Sequence, residues 1–214
     1  MKISLKTQNL PLIGVYIIFN IAIFLTIYNT GNIDIDNIQQ YFTELQVEDG
    51  IFFTLLSLVI IIASGMFSNR TKEIIVFWKL KDRLPGCEAF SKYIYEDDRI
   101  NIKKIKVKIG RLPDNPKKQN SKWYELFKSI NDQSINKTHK DSLLCRELSV
   151  MTILMFLLTV PIFYKYDIVG CCYLIFLGLE YLVVRYCAKN TAERLVVNTL
   201  ALVSLDVGKK RVNV

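Results

Sequence analysis

Residues 101–130 read NIKKIKVKIGRLPDNPKKQNSKWYELFKSI. This stretch is too dense in lysine to sit in hydrocarbon, yet it lies between two pairs of strongly apolar runs. Working outward, the polar middle extends over residues 70–146. Before it come LPLIGVYIIFNIAIFLTIY (10–28) and IFFTLLSLVIIIASGMF (51–67); after it come LSVMTILMFLLTVPIFY (148–164) and a fourth run from residue 168. The first run has nineteen uncharged residues. At about 1.5 Å per residue it reaches about 28 Å, close to the roughly 30 Å of a bilayer core. It is also longer than the apolar core of a signal peptide and lacks a small-residue cleavage site after it, so it reads as a retained span.

Charge placement gives the orientation. The chain has 214 residues, 51% hydrophobic, with a formal net charge of +8. Residues 31–50 carry Asp34, Asp36, Glu44, Glu48 and Asp49 and no Lys or Arg, whereas Lys2, Lys6, Arg70 and Lys72 flank the first two runs on their other sides. Basic flanks stay in the cytoplasm. The expectation is an all-α membrane protein of four transmembrane helices. Residues 10–28, 51–69, 147–164 and 168–186 form the spans, and 29–50 an acidic periplasmic loop. Residues 70–146 form a basic, mainly helical cytoplasmic domain, and 187–214 a cytoplasmic amphipathic helix and tail. Both termini face inward, at the bacterial inner membrane. Lys165, Tyr166 and Asp167 leave room only for a tight antiparallel hairpin, with Arg146, Lys165 and Arg185 snorkelling at the helix ends.

Inside the polar middle, residues 71–84 read as a helix stopped by Pro85 and Gly86, with Phe77 and Trp78 at the interface. Residues 88–95 read as a second helix. Residues 101–109 fit either an exposed strand or a helix with Ile102, Ile105 and Ile109 on one face and Asp98 as cap; helix is favoured because a lone strand has no partner. Residues 110–119 read as a loop on their Pro, Gly and Asn content. Residues 121–130 read as an amphipathic helix with Trp123, Leu126, Phe127 and Ile130 on one side.

The candidate interaction residues are Lys103, Lys104, Lys106, Lys108, Arg111, Lys117, Lys118 and Trp123. Lysines next to a membrane attract anionic lipid at about 1 kcal/mol each. The same field attracts an acidic protein, and topology alone also makes cytoplasmic loops basic. No RNP-like, zinc-finger or helix-turn-helix pattern accompanies the lysines, so direct nucleic-acid contact is not expected. After the fourth run, Leu195, Val196, Thr199, Leu200 and Val203 mark an apolar face on a helix that continues the span. That face must be covered by the basic middle, a second copy or another protein; Leu195 and Leu200 are taken as its partner-binding residues. Asn20, mid-span, needs a partner that an oligomer can supply. Glu180 sits lower in the fourth span, as an anchor. Thr54, Ser57, Ser64 and Ser68 share a face of the second span. They suit helix packing, and less well a pore lining.

Chemistry is sparse. The one histidine, His139, sits six residues from Cys145, a poor facing distance on a helix. No HExxH, G-x-S-x-G or P-loop lysine is present. The five cysteines lack zinc-ligand spacing and read as reduced, buried thiols. The expectation is therefore no enzyme, no metal and no cofactor.

Three patches, RLPGCEAFS (83–91), QNSKWYELFK (119–128) and HKDSLLCREL (139–148), together with the four-span layout, resemble the membrane subunit of the bacterial Kiwa antiphage defence system. The resemblance implies a homo-oligomer, taken as a tetramer, that docks a cytosolic DNA-binding partner and senses phage attack at the envelope. A channel or membrane-disrupting effector is the alternative reading.

Overall fold

The computed structural model describes residues 5–30, 47–163 and 168–209. Most of the acidic first loop, the 164–167 turn and the basic C-terminal tail lie outside them. Among the described residues all regular structure is helical, without strands. In chain order the α-helices are α1 (Leu5–Gln8), α2 (Leu10–Thr30), α3 (Val47–Met66), α4 (Asn69–Phe77), α5 (Ile102–Ile109), α6 (Pro116–Ser129), α7 (Gln133–Phe163) and α8 (Ile168–Lys209), with 3-10 turns at Pro85–Glu88 and Tyr93–Tyr95. Two of them contain segments long and apolar enough to cross a membrane, Gln133–Pro161 in α7 and Gly170–Leu205 in α8; in α2 the corresponding stretch, Leu10–Phe24, is shorter.

The chain divides into two units. One holds residues 1–75 and 144–186, the other residues 76–143 and 187–214. The polar middle and the C-terminal part of α8 therefore belong to one unit, where the sequence treats them as two.

The first unit packs isoleucines against thioethers. Ile13, Ile17, Ile21 and Ala22 of α2 meet Ile60 of α3 and Met151 and Met155 of α7. Tyr173 and Leu177 of α8 are buried against Ile23, Phe24 and Phe156. The outward faces keep large apolar side chains exposed, among them Leu12, Val15 and Phe19 on α2, Leu58 and Ile62 on α3, and Ile175, Leu179 and Val183 on α8. Such a surface would associate in water and suits a lipid solvent.

The second unit is built around Leu195, Val196, Leu200, Ala201 and Val203 of α8. Ala89, Phe90, Tyr93, Ile94, Ile100, Ile105 and Leu126 complete its buried core. This answers what covers the apolar face after Arg194: the basic middle does. Leu195 and Leu200, expected to bind a partner, are core residues at 6% and 0% exposure.

Several local expectations are corrected. The helix starting near residue 71 ends at Phe77 rather than at residue 84. Trp78 and Asp82 adopt left-handed backbone angles (φ 54° and 45°), which α-helix interiors do not accept. Residues 88–95 form no α-helix: the 3-10 turn Pro85–Glu88 leads through a turn at 89–92 to a second 3-10 turn, Tyr93–Tyr95. The helical reading of 101–109 holds: Ile105 is buried and Ile102 and Ile109 pack on the core. Its cap is Asn101, whose Oδ1 accepts from Lys104 N at 3.1 Å, and not Asp98. The loop after it is shorter than expected, because α6 already begins at Pro116. Asn115 caps α6, accepting from Lys117 N (3.0 Å) and Lys118 N (3.3 Å), and proline suits the first helical position.

Candidate interaction surface and buried polar clusters

In the second unit, α5 turns Ile105 inward, which leaves Lys103, Lys106 and Lys108 exposed and Lys104 partly so. Gly110 (φ 77°, ψ −137°) then ends the helix in a backbone region that only glycine enters without strain. The following loop brings Arg111 and Lys118 to a shared hollow, also lined by Leu112, Pro113, Asp114 and Asn115. Lys117 and Lys118 are exposed at the start of α6. Among the described residues Arg111 pairs with Asp114 at 3.7 Å, while Lys103, Lys104, Lys106, Lys108, Lys117 and Lys118 form no ion pair. Like charges at a helix N-terminus are unfavourable, so the lysines at the start of α6 leave positive charge there unopposed.

Trp123 is half-buried. It stacks on Phe127 with ring centroids 5.6 Å apart and packs against the core. A Cβ on Gly86 would come 2.8 Å from its ring and 2.3 Å from Asn120 Oδ1, so the PGCE turn needs glycine to lie on α6. Gln119, buried below the lysines, accepts from Phe90 N (2.9 Å) and Ser91 N (3.1 Å) and ties the same turn region to α6. The patches RLPGCEAFS and QNSKWYELFK are thus the two sides of one packing contact.

A second feature of this unit is a polar cleft of about 500 Å³, lined by Glu96, Asp97, Arg99, Asp141, Glu193 and Asn198 among others. Arg99 grips Asp97 through both guanidinium edges (2.6–3.0 Å) and donates to Asn198 Oδ1 at 3.1 Å. That pairing holds the Asp97 carboxyl below the usual range. Tyr93 donates to Glu193 at 2.9 Å; burial, and then the Glu193 carboxylate, push its phenol upward. No charge in this cleft was singled out from sequence, because the residues that line it are far apart in the chain.

In the first unit two polar clusters form. Lys72 (2% exposed) and Glu147 (4%) make an ion pair at 2.5 Å, and Ser64 donates to the same carboxylate at 3.2 Å. Ser64 therefore has a partner within its own chain. Thr54 on the same helix is exposed, and the side chain of Ser57 lies outside the described ones. The second cluster surrounds Asn20, which is fully buried. Its Nδ2 donates to Tyr16 O (3.1 Å) and to Glu180 Oε1 (3.3 Å). Asn20 was expected to find its partner in an oligomer; it finds it on α8, and Glu180 is that partner rather than a lone anchor.

His139 lies edge-on to Phe127, with centroids 5.1 Å apart, and no group of three His, Cys, Asp or Glu gathers among the described residues. The cysteines are free, but only Cys87 is buried; Cys145 is intermediate and Cys171, Cys172 and Cys187 are exposed. Burial was expected of them all; Cys171 and Cys172 instead share the exposed apolar surface of α8 with Ile175 and Leu179. Comparison with protein-family models, curated proteins and solved structures finds no match.

Proposed function

We propose that the chain is an inner-membrane scaffold or sensor subunit with four spans and both termini in the cytoplasm. On this reading it recruits an acidic cytosolic protein through the basic face of α5 and α6. It is non-enzymatic, binds no metal or cofactor, and assembles into homo-oligomers; the resemblance to the Kiwa membrane subunit adds a role in antiphage defence and a DNA-binding partner. One observation carries the reading. The apolar face of α8 is satisfied inside the second unit, so what that unit offers to solvent is a run of lysines without acidic partners. Unpaired charge on one face contributes to steering and partner choice rather than to folding. Anionic lipid would share in holding that face near the inner leaflet. The engagement of Ser64 with Glu147 takes one member out of the hydroxyl stripe that a pore reading requires.

The test is capture from native membranes. Wild type is expected to retain a cytosolic protein in stoichiometric amount, and a Lys103→Glu/Lys106→Glu/Lys117→Glu variant, folded by circular dichroism, to lose it. Wild-type membranes that yield no such protein, or a variant that keeps it, overturn the proposal.

A further inference from the structure

The Asn20 cluster holds two polar atoms whose hydrogen-bonding is incomplete. Asn20 Oδ1 and Glu180 Oε2 are both buried and have no partner. The amide cannot be reversed to repair this. Its nitrogen faces two acceptors, the Tyr16 carbonyl at 3.1 Å and Glu180 Oε1 at 3.3 Å, so its oxygen must be the free end. An amide oxygen and a carboxylate oxygen are therefore left over, on two side chains already joined by one hydrogen bond. Both are acceptors, and a buried acceptor without a donor costs about 1–3 kcal/mol.

The neighbours supply no cation. Tyr16 of α2 has its hydroxyl beside the Glu180 carboxylate and shares a hydrogen bond with Thr152 Oγ1 of α7 at 2.6 Å, and Tyr173 of α8 donates to Asn20 O at 3.2 Å, so the hydroxyls around the cluster are neutral. Residues 54–66 of α3 and 148–161 of α7 contain no titratable side chain. On α8 itself, Cys171 and Cys172 are exposed, Tyr181 donates to Ile75 O at 2.7 Å, and Arg185 is five positions further on. Depth sharpens the point. Asn20 lies ten residues past Leu10 and Glu180 twelve past Ile168, about 15 and 18 Å into their helices. An ionised carboxylate there, without a counter-charge, is costly.

We propose that Asn20 and Glu180 form a proton-binding site within the membrane unit. A single proton on Glu180 Oε2 removes the charge and provides a donor for Asn20 Oδ1, the buried acceptor that has none. The acid and the amide then bond to each other in both directions. Loss of the proton leaves Asn20 Oδ1 without a donor and a carboxylate charge without a counter-ion, and loosens α2 from α8. The packing of the unit is thereby tied to proton activity. This rests on the membrane reading of α2 and α8, and on no part of the recruitment reading.

The test uses the full chain in lipid nanodiscs and infrared difference spectra taken across pH. Wild type is expected to show a protonated-carboxyl stretch at neutral pH that is absent in Glu180→Gln and shifted in Asn20→Leu. Glutamine keeps both hydrogen bonds without titrating, so Glu180→Gln should fold and unfold at a midpoint independent of pH, while the wild-type midpoint falls as pH rises. A neutral-pH spectrum identical in wild type and folded Glu180→Gln overturns the site. A midpoint that follows sodium at fixed pH, and not pH, assigns these oxygens to a metal cation instead and also overturns it. Resistance of the chain to carbonate extraction from membranes is scored separately, so failure of the membrane reading shows there and not in the spectra.

Discussion

Lys72 and Glu147 lie 75 positions apart and are almost completely shielded from solvent. Removing one partner of such a pair strands the other charge, which typically costs 3–5 kcal/mol, whereas replacing both with apolar groups is often neutral. Glu147→Ala should therefore lower unfolding stability in detergent by about 3–5 kcal/mol, and Lys72→Met/Glu147→Leu should recover most of that loss; a double variant as weak as the single would remove the ion pair from the explanation. Nothing in the sequence announced the pair. Lys72 reads in the sequence as one more positive-inside flank, because its acidic partner lies 75 positions away. Asn20 was legible as a group needing a partner, since an amide in hydrocarbon must bond something. Which group it bonds was not legible, since Glu180 is its neighbour only once α2 and α8 pack.

Helices were legible where their apolar period was clear. The Ile102, Ile105, Ile109 spacing gave α5, and the residues from 187 on continue the fourth apolar run in one 42-residue helix, Ile168–Lys209. Ends were less legible, because caps compete. Asn101 and Asp98 are both good cap residues, and Pro116 after Asn115 is as natural a helix start as a loop signal. Asn115→Ala removes the acceptor for two backbone N–H groups and should cost about 1 kcal/mol, read as a lower unfolding midpoint of the second unit. Leu200, fully buried in the core it shares with Ile105 and Leu126, should cost about 2–5 kcal/mol when cut to alanine; a near-neutral Leu200→Ala would mean that this face of α8 is not in a core. At the start of α7, Asp132 accepts from Ser134 N at 2.8 Å and from the Ser134 hydroxyl. The hydroxyl first, then the backbone N–H groups, hold its carboxyl below the usual range. A depressed carboxyl adds stability that is present above its unfolded value of about 4 and is lost as pH falls through its lower folded value. Asp132→Asn keeps an acceptor without titrating, so its acid-side decline should be shallower than that of wild type in pH-dependent circular dichroism.

For the whole molecule, the sorting of apolar from basic segments carried most of the information, and it yielded the all-helical class and the membrane-suited surface. It did not reveal that the C-terminal part of α8 closes the fold of the inserted middle, because an apolar face states only that it needs cover. The orientation is testable directly. A cysteine replacing Lys117, in a background without exposed cysteines, should react with a membrane-impermeant reagent only after cells are permeabilised; reaction in intact cells would reverse the topology.

The contact between Lys72 and Glu147 has a further consequence. These two residues stand at the entry to and the exit from the long inserted segment, and they hold its two ends together whatever lies between. Such a clasp would let the intervening sequence drift, lengthen or be exchanged over generations while the first unit kept its register. Related chains should then vary most in what lies between these two positions and least in the charges that fasten them.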